Sequence, residues 1–248
     1  GDDIIQHFEP AMKKKIAILG STGSIGQSTL EVIKANNKDF SISGLVAKSN
    51  KKLLLEQAHK FNVKKICLIN NDSKNDIFVS ESEIEDLIFS DQVDIVVAAI
   101  SGIAGLKTIL SSIKAGKRIL IANKEPLVAA GQILMEEAKK SNSEIIPIDS
   151  EHCAIHQCLK NIEKTDLKRI IITCSGGPFL GKKITNFNKV SVEDALNHPV
   201  WKMGTKNLID SASLMNKALE IIEAKWLFEL KSEQIDVIIH PQSIIHSM

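Results

Sequence analysis

Short apolar stretches alternate with helical patterns from residue 15 to residue 148, and this alternation limits the possible folds more than any other feature. The apolar stretches cover residues 15–19, 40–47, 65–69, 93–99, 118–122 and 144–148. Helical patterns lie between them, near residues 24–36, 51–61, 82–89, 103–115 and 126–140. Strands that are apolar along their whole length are buried on both faces, as in a parallel sheet covered by helices. The pattern therefore predicts an α/β fold with a doubly wound parallel sheet.

The alternation ends at residue 149. A helix at residues 150–160 and a strand at 168–173 precede about thirty residues with a single short helical pattern, at 191–196. A long helix at 211–228 and a strand at 235–239 follow. An irregular segment of this length inside a compact domain is typical of a functional lid or of a disordered segment.

We therefore predict two domains, a doubly wound domain at residues 12–149 and an α+β domain at 150–248 with a lid loop near 180–206. Each is long enough to bury a core of its own. Residues 1–11 show no periodicity, and we expect them to be a leader outside the native protein, which would start at Met12.

The composition excludes several classes of protein. The 31 basic and 30 acidic residues are interspersed and give a formal charge of +1, which leaves no electrostatic footprint for nucleic acid or an anionic membrane. The longest apolar runs, such as residues 95–100, are too short to span a membrane, and the acidic start is unlike a secretory signal. We expect a cytoplasmic protein whose four scattered cysteines are reduced thiols.

A glycine-rich sequence, GSTGSIG at residues 20–26, connects the first strand to the first helix. A dinucleotide-binding fold needs glycines there for the turn, for the approach of a pyrophosphate and for helix packing. The second strand leads into Lys48, Ser49 and Asn50, where an enzyme that uses NAD places an acidic residue. Basic and hydroxyl groups at this point favour the 2′-phosphate of NADP. A glycine-rich turn without a ligand and a solvated lysine cluster are the alternatives.

Two carboxylates, Asp149 and Glu151, follow the sixth strand on alternate residues. At a strand-to-helix corner both can point toward one position in solvent, where two oxygen donors form half of a site for a hard cation. Taken alone, these residues favour a simpler interpretation, an exposed turn in which Asp149 or Ser150 caps the next helix. The choice depends on residues elsewhere in the chain.

The helix predicted at 211–228 supplies residues that favour the cation site. Glu220 and Glu223 share one face, and Asn216 and Lys217 lie one turn before Glu220 on the same side. A surface ion pair between Lys217 and Glu220 is the simpler alternative. The apolar positions of the helix are Leu214, Ala218, Leu219 and Ile222.

Together, the corner and this helix predict a phosphate site beside a cation site. The donors for a phosphate would be Ser211, Asn216 and Lys217. The ligands of Mg²⁺ or Mn²⁺ would be the carboxylates of Asp149, Glu151 and Glu220, which leave open positions for substrate oxygens.

Two further assignments stay open on the residues alone. Lys124 follows the fifth strand, at the edge of the sheet where ligands bind, and is either placed beside a nicotinamide and a substrate oxygen or is a surface lysine. A zinc site is conceivable on the helix at 150–160, where the candidate ligands are His152, Cys153, His156 and Cys158. Only the two histidines share a face, so this set would need distant partners.

Seven motifs along the chain occur together, in the same order, in one known family. They are GSTGSIG at 20–26, ANKE at 122–125, IDSEH at 148–152, SGGPF at 175–179, HPVWKMG at 198–204, DSASLMNKALEIIEA at 210–224 and HPQSIIHSM at 240–248. With these motifs the chain resembles the 1-deoxy-D-xylulose 5-phosphate reductoisomerase family. The resemblance implies an enzyme of non-mevalonate isoprenoid biosynthesis that uses NADPH and a divalent cation, Mn²⁺, Mg²⁺ or Co²⁺. It would isomerise 1-deoxy-D-xylulose 5-phosphate and reduce the product to 2-C-methyl-D-erythritol 4-phosphate.

The resemblance also implies a role for each residue that matches a family motif. The implied metal ligands are Asp149, Glu151 and Glu220, and the implied catalytic residues are Lys124, Glu151 and His198. The implied substrate-binding residues are Ser150, Glu151, Ser175, His198, Trp201, Ser211, Asn216, Lys217 and Glu220. The implied cofactor-binding residues are Gly20, Thr22, Gly23, Ser24, Ile25, Lys48, Ser49, Asn50, Asn123, Glu125, Met203 and Gly204.

Two further features follow from the resemblance. Members of the family are homodimers, and they carry a C-terminal helical domain of about a hundred residues that this chain lacks. The chain departs from the family at Cys153, His156 and Cys174, where we expect adjustments of packing.

Other interpretations remain open or are excluded by the residues. A short-chain dehydrogenase is excluded because the chain contains no tyrosine for its catalysis. A semialdehyde dehydrogenase would need a nucleophilic cysteine, and Cys174 is the one candidate by position. An NADP-binding sensor or scaffold without catalysis is the third possibility.

Overall fold

The computed structural model of the chain describes residues 12–69, 78–182, 190–197 and 205–248. It divides into two compact units, one that ends at Ile119 and one that begins at Leu120. The sequence predicted a domain boundary between residues 149 and 150 instead, and that boundary stays a prediction. Each unit is described by itself.

The first unit is a parallel α/β sheet in which strands and helices alternate. Its elements are β1 (Lys14–Leu19), α1 (Ser24–Ala35), β2 (Phe40–Ala47), α2 (Lys51–Phe61), β3 (Ile66–Leu68), α3 (Glu81–Phe89), β4 (Ile95–Ala98), α4 (Leu106–Lys114) and the start of β5 (Arg118–Ile121). The strands lie in the order β3-β2-β1-β4-β5. Strand β1 pairs in parallel with β2 and β4, and β2 pairs in parallel with β3. This order is that of the doubly wound nucleotide-binding folds, which confirms the predicted fold class.

The strands are buried on both faces, as the apolar runs predict. Ile16, Ala17, Ile18 and Leu19 of β1 are all buried, although alternate side chains of a strand point to opposite faces. Each fully buried Ile or Leu contributes about 1.5–3 kcal/mol relative to an exposed position. The central strand is thereby held rigidly, and the loop that follows it is anchored at its first residue.

The second unit contains the remaining elements. They are the end of β5, α5 (Lys124–Ser141), β6 (Glu144–Pro147), α6 (Ser150–Leu159), β7 (Ile170–Cys174), α7 (Val192–Leu196), α8 (Thr205–Ala212), α9 (Met215–Leu227) and β8 (Ile235–Ile239). Strand β6 lies next to β5, and β7 pairs in parallel with β8. The last residues extend this second sheet, because Met248 and Ile171 exchange two backbone hydrogen bonds of 2.6 and 2.9 Å.

Helices α5 and α9 pack closely because a glycine faces a tryptophan. A Cβ atom added at Gly131 would lie 2.2 Å from Trp226 Cδ1, so no other residue fits there without displacing the ring. Helix α5 is kinked at the preceding residue, Ala130, whose φ of −140° and ψ of 22° are not helical. The close approach brings the first turn of α5, which carries Lys124, to the side of α9.

The single helix predicted at 211–228 is wrong. Helix α8 ends at Ala212 and α9 begins at Met215, because Leu214 has a φ of +61° in the left-handed region. The stretch contains no glycine or proline, so its sequence carries no signal for the break. The change of direction allows Ser211, at the end of α8, and Lys217, in the first turn of α9, to face one cavity.

Helix α9 also buries a different face from the expected one. Leu214 and Ile222 are 42% and 37% exposed, whereas Lys217, Glu220 and Glu223 are at most 6% exposed. Burial of ionised groups is costly unless they are paired, so this face is expected to carry function rather than stability. Among the described residues, no helix is long and apolar enough to cross a membrane.

Candidate functional site

A cavity of about 320 Å³ in the second unit collects most of the residues predicted to bind substrate and metal. The predicted residues that line it are Lys124, Asp149, Ser150, Glu151, Ser175, Ser211, Asn216, Lys217 and Glu220. Other residues complete the wall: Cys174, which the sequence interpretation considered only as a nucleophile, and four residues to which it gave no role, Thr173, Ser243, Ile245 and His246. The cavity is therefore built from five separate parts of the chain.

Asp149 caps a helix, as one interpretation of its sequence context predicted, and it also faces the cavity; its role as a cation ligand stays a prediction. It is the N-cap of α6, where its Oδ1 accepts a 2.9 Å hydrogen bond from the His152 N–H, and it also lines the cavity. Glu151, in the first turn of the same helix, lies at the positive end of the helix dipole and accepts a 2.6 Å hydrogen bond from the Ser150 hydroxyl. The helix start thus holds two carboxylates on one wall.

His152 connects α6 to α9 from behind the cavity. Its imidazole is fully buried, and its Nε2–H donates to the Glu220 carbonyl at 2.8 Å. Its Nδ1 contacts the second carboxylate oxygen of Asp149. One ring therefore orients the carboxylate of Asp149 and at the same time sets the backbone position of Glu220. No motif in the sequence indicated this role, because the two contacts join segments 68 residues apart.

Two lysines lie among the carboxylates. Lys124 Nζ is 3.5 Å from Asp149 Oδ2, 3.5 Å from Glu220 Oε1 and 3.9 Å from Glu223 Oε2. Lys217 Nζ is 3.3 Å from Glu151 Oε1 and also contacts Glu220 Oε2. Lys217 and Glu220 form the i,i+3 ion pair of the simpler alternative, but both residues are buried and not at the surface as that alternative expected.

The mixture of burial and charge perturbs the titration of these groups. Burial would raise the pKa of Asp149, but the hydrogen bond and charge of His152 lower it to about 2. Burial would lower the pKa of His152, but Asp149 raises it to about 9. Burial raises the pKa of Glu223 to about 7, against the charges of His152 and Lys124. Titratable groups whose pKa values are driven apart in this way are typical of functional sites.

Three other charged groups of the cavity have pKa values that are shifted in opposite directions. Burial and the neighbouring Glu151 raise the pKa of Glu220. Burial opposes ionisation of Glu151 as well, but Lys217 and the Ser150 hydroxyl lower its pKa. Burial would lower the pKa of Lys124, yet Glu220, Asp149 and Glu223 raise it above its usual value. The site therefore combines acids whose pKa is raised with acids whose pKa is lowered.

Several carboxylates of the site offer oxygen ligands for a divalent cation. Among the described residues, ligand atoms of Asp149, His152 and Glu223 lie within 4.8 Å of one another, which is a different set from the predicted one. Both ring nitrogens of His152 are already engaged, and neither His152 nor Glu223 lines the cavity. Asp149, Glu151 and Glu220 do line it and offer the oxygen ligands that hard cations prefer. We therefore keep these three as the candidate ligands.

Hydrogen-bond donors for an anion lie beside the carboxylates. Gly177 has a φ of +71°, and a Cβ atom there would lie 2.5 Å from the Ser211 carbonyl oxygen, so the Ser-Gly-Gly turn after β7 closes onto the end of α8. This contact brings Ser175 and Ser211 to one wall. Asn216 donates from its amide nitrogen to Glu220 Oε1 at 2.5 Å. The structure thus brings together the residues predicted to bind a phosphate, and their role stays a prediction.

The segment after β8 completes the cavity and was missed as a source of site residues. Its His240 accepts hydrogen bonds at Nε2 from the N–H groups of Ile244 and Ile245, at 3.0 and 3.3 Å. The ring thereby shapes the loop that places Ser243 and His246 on the cavity wall. The repeated histidines and serines of HPQSIIHSM were the available signal, but spacing alone does not show which of them face inward.

In the first unit, the glycine-rich loop is arranged as a dinucleotide site requires. Gly20 has a φ of +94°, and the N–H groups of Gly20 and Ser21 donate to the Val46 carbonyl at 2.8 and 2.9 Å. A Cβ atom at Gly26 would lie 2.4 Å from the Gly20 carbonyl oxygen, so α1 packs directly onto the turn. Helix α1 begins after Gly23 without a side-chain cap or an acidic first turn. Its N–H groups are therefore directed at the loop, where an anion would bind.

The other predicted cofactor residues are placed as follows. Thr22, Ser24 and Ile25 lie in the loop or the first turn of α1, and Lys48, Ser49 and Asn50 are exposed after β2. Asn50 caps α2 through a 3.2 Å hydrogen bond from the Leu53 N–H. Asn123 and Glu125 flank Lys124 at the start of α5. Four predicted residues lie outside the described part of the chain: His198, Trp201, Met203 and Gly204.

Two alternative chemistries find no support in the geometry. The four thiols are free, and the zinc ligands considered on α6 are not grouped, since His152 is engaged by Asp149 and Cys158 is exposed. Burial raises the pKa of the Cys174 thiol, whereas a nucleophilic cysteine needs a lowered one. A semialdehyde dehydrogenase mechanism through Cys174 is therefore disfavoured.

Comparison with known proteins supports one family throughout. Residues 16–131 match the model of 1-deoxy-D-xylulose 5-phosphate reductoisomerase, and residues 145–228 match that of the C-terminal domain of the same enzyme. The chain belongs to the 1-deoxy-D-xylulose 5-phosphate reductoisomerase family. Both matched ranges contain the loop or cavity residues described above.

Individual relatives agree with this assignment. The 1-deoxy-D-xylulose 5-phosphate reductoisomerase of Thermoanaerobacter sp. (strain X514) is 50% identical over 245 residues, which are 95% of this chain and 64% of that protein. The protein of the same name from Francisella tularensis subsp. novicida is 47% identical over 248 residues. This chain therefore spans slightly less than two thirds of the length of these relatives.

Solved structures of this family share the fold. A crystal structure of DOX-P reductoisomerase in complex with NADPH, fosmidomycin and magnesium is 43% identical, with a TM-score of 0.87 over 94% of this chain and 63% of that one. The Zymomonas mobilis enzyme in complex with NADPH is 37% identical, with a TM-score of 0.87 over 96% of this chain and 64% of that one.

Proposed function

We propose that the protein acts in non-mevalonate isoprenoid biosynthesis, where it isomerises 1-deoxy-D-xylulose 5-phosphate and reduces the product to 2-C-methyl-D-erythritol 4-phosphate. NADPH supplies the hydride, and a divalent cation, Mg²⁺, Mn²⁺ or Co²⁺, is required. The observation that carries the proposal is the cavity of the second unit, where the acids, lysines and hydroxyl donors predicted from the family's motifs lie on one wall. The family assignment and the glycine loop of the first unit support the use of NADPH.

One group of cavity residues would bind the reacting end of the substrate, and a second group would bind its phosphate end. Asp149, Glu151 and Glu220 would hold the cation, which when bound polarises the ketone and a neighbouring hydroxyl of the substrate. Lys124 would place its ammonium beside the oxygen on which negative charge develops. Ser150, at the helix start between two of the ligands, would orient the same end of the substrate.

The phosphate end would be held by a second group of residues. Lys217 would supply the charge, and Ser175, Ser211 and Asn216 the hydrogen bonds. Phosphate binding is remote from the reacting carbons, so its energy is available to close a lid over them. We assign that lid to the segment that contains His198, Trp201, Met203 and Gly204, with His198 also acting in catalysis.

The pyrophosphate and the 2′-phosphate of the cofactor would bind in the first unit. The N–H groups at the start of α1 and the loop residues Gly20, Thr22, Gly23, Ser24 and Ile25 would hold the pyrophosphate. Lys48, Ser49 and Asn50 would contact the 2′-phosphate, and Asn123, Glu125, Met203 and Gly204 the nicotinamide half.

We further propose that the protein is a cytoplasmic homodimer. Val237, Ile238 and Ile239 of β8 are 40–47% exposed, and an apolar strand at the edge of a small sheet is a surface on which a second copy can pack.

Metal-dependent oxidation of NADPH by 1-deoxy-D-xylulose 5-phosphate tests the proposal. The assay compares this chain with a version extended to the full length of its relatives, with Mn²⁺ or with a chelator. We expect the extended version to oxidise NADPH only when both cation and substrate are present. Binding of NADPH without substrate-dependent oxidation under these conditions would contradict the proposal and favour a sensor or scaffold.

A further inference from the structure

Lys217 occupies the position of a counter-ion between two predicted metal ligands. Its Nζ is 3.3 Å from Glu151 Oε1 and contacts Glu220 Oε2, and the residue is only 6% exposed. Buried carboxylates require a compensating charge, and this ammonium supplies it to both. The same lysine is the proposed partner of the substrate phosphate, so one side chain is assigned to two anions.

A cation bound to these carboxylates would change the electrostatic environment of the Lys217 ammonium. It would bring two positive charges to the oxygens that Lys217 now contacts, and like charges at such distances repel strongly in a partly buried site. Both carboxylates that the structure places against Lys217 belong to the predicted metal set. The ammonium would then need a new anionic acceptor within the same cavity.

Lys124 differs from Lys217, because one of its carboxylate partners is not a predicted metal ligand. It lies 3.5 Å from Asp149 and Glu220, but also 3.9 Å from Glu223, which does not line the cavity and is not a predicted ligand. After a cation has taken Asp149 and Glu220, Lys124 retains the carboxylate of Glu223. Of the two lysines, Lys217 is therefore the one that would have to exchange its partners.

We propose that Lys217 is an exchangeable counter-ion, which neutralises Glu151 and Glu220 while no cation is bound and is released to the substrate phosphate when a divalent cation binds these carboxylates. Cation and phosphate then bind with positive coupling, and each increases the affinity for the other by the same factor. This inference rests on the proposed function, because it uses the assignments of the cation and phosphate sites.

Calorimetric titrations with Mg²⁺ and methylphosphonate test the coupling. Methylphosphonate carries the phosphate-like charge but no chelating oxygens of the substrate. We expect saturating Mg²⁺ to strengthen methylphosphonate binding by about tenfold, and saturating methylphosphonate to strengthen Mg²⁺ binding by the same factor.

The decisive variant is Lys217→Met, which keeps the length of the side chain and removes the charge. Without the competing ammonium, Mg²⁺ should bind severalfold more tightly than to the unchanged chain, and methylphosphonate should no longer strengthen Mg²⁺ binding. A purely structural role for Lys217 would weaken Mg²⁺ binding instead. Lys225→Met, at an exposed position of the same helix, is the matched control and should retain the full coupling.

The outcomes separate this inference from the proposed function. Independent binding of Mg²⁺ and methylphosphonate, or unchanged or weaker Mg²⁺ binding by Lys217→Met, would overturn the counter-ion role while both sites stand. Failure of the unchanged chain to bind Mg²⁺ at all would overturn both the counter-ion role and the proposed metal site. Circular dichroism of each variant confirms that the comparison concerns folded protein.

Discussion

The glycine loop of the first unit and the acidic cavity of the second unit are two candidate sites built in opposite ways. The loop is made of consecutive residues, and its shape depends on backbone atoms and on the absence of side chains at Gly20 and Gly26. The cavity is made of side chains from five parts of the chain, and its shape depends on charges that compensate one another. The loop is therefore sensitive to added volume, and the cavity to altered charge.

The difference also affects how each site contributes to stability. Close packing at the loop is favourable in itself, since α1 and the turn exclude water from their contact. The cavity buries Lys217, Glu220 and Glu223 at positions where apolar residues would be at least as stable. Such buried charged groups are therefore candidates for binding or chemistry.

Among the predicted changes, removal of one negative charge from the cavity should have the largest effect, and this effect is on cation affinity. Asp149→Asn keeps the N-cap, because Asn also accepts from the His152 N–H, but it removes the negative charge. We expect cation affinity to fall by about a hundredfold, and the melting temperature to fall as well, because His152 loses the charged partner that raises its pKa. Calorimetry with Mn²⁺ measures the first and thermal unfolding the second.

Asp166→Asn, an exposed change in the same unit, serves as the control and should bind Mn²⁺ normally. If Asp149→Asn bound Mn²⁺ as tightly as the control does, Asp149 would be a helix cap and no more, and the contrast between the two sites would disappear.

Added volume in the loop should have the next largest effect. In Gly26→Ala the new Cβ would lie 2.4 Å from the Gly20 carbonyl oxygen, so the loop or α1 must move. We expect the free energy of unfolding to fall by about 1–3 kcal/mol and NADPH binding to weaken. Chemical denaturation and NADPH fluorescence titration measure the two effects.

Gly23→Ala is the matched variant, because its Cβ would lie 3.4 Å from the same oxygen and its φ is −76°. It should leave the stability nearly unchanged and affect only the space for the cofactor. Equal losses of stability in the two variants would show that the loop is not held by the close contact at Gly26.

The pH dependence of stability is the third expected effect, and it should reflect the buried charged groups beside the cavity. The pKa of His152 is raised from 6.5 to about 9, so its stabilising contribution is complete below pH 6.5 and is lost as the pH rises through 9. The raised pKa of Glu223 acts in the same direction at lower pH, between 4.5 and about 7. The melting temperature of the metal-free chain should therefore decrease from pH 6.5 to 9.

His152→Gln tests the origin of that decrease. The variant lacks the titrating ring, so its melting temperature should vary less over this interval than that of the unchanged chain. If the melting temperatures of the two proteins varied with pH in parallel, the titrating group would be a residue other than His152.

Local sequence patterns were sufficient for most of the fold. The strand at 40–47 and the helix at 51–61 were predicted with the bounds that β2 and α2 have, because apolar runs and helical periodicity are local signals. The break at Leu214 was missed because a left-handed leucine has no sequence signal, and it is imposed by contacts of the surrounding structure.

The candidate sites also contain residues that local sequence predicted and residues that it did not. GSTGSIG identified the loop because its chemistry lies in consecutive backbone groups between a strand and a helix. Asp149, Glu151 and Glu220 were grouped by residue type and family motif, but the roles of His152 and Glu223 were not assigned from either. Pairing among buried charges depends on distances of a few ångströms between segments far apart in sequence, and periodicity carries no such information.

The amino-acid sequence by itself determined the doubly wound sheet, the nucleotide loop and the family, because each depends on the order of residues over short distances. The folded chain decided that Lys217 contacts two carboxylates, that His152 joins α6 to α9, and that α9 buries its charged face. These features arise when helices from different segments pack and exclude water, which turns weak charge interactions between exposed groups into strong ones.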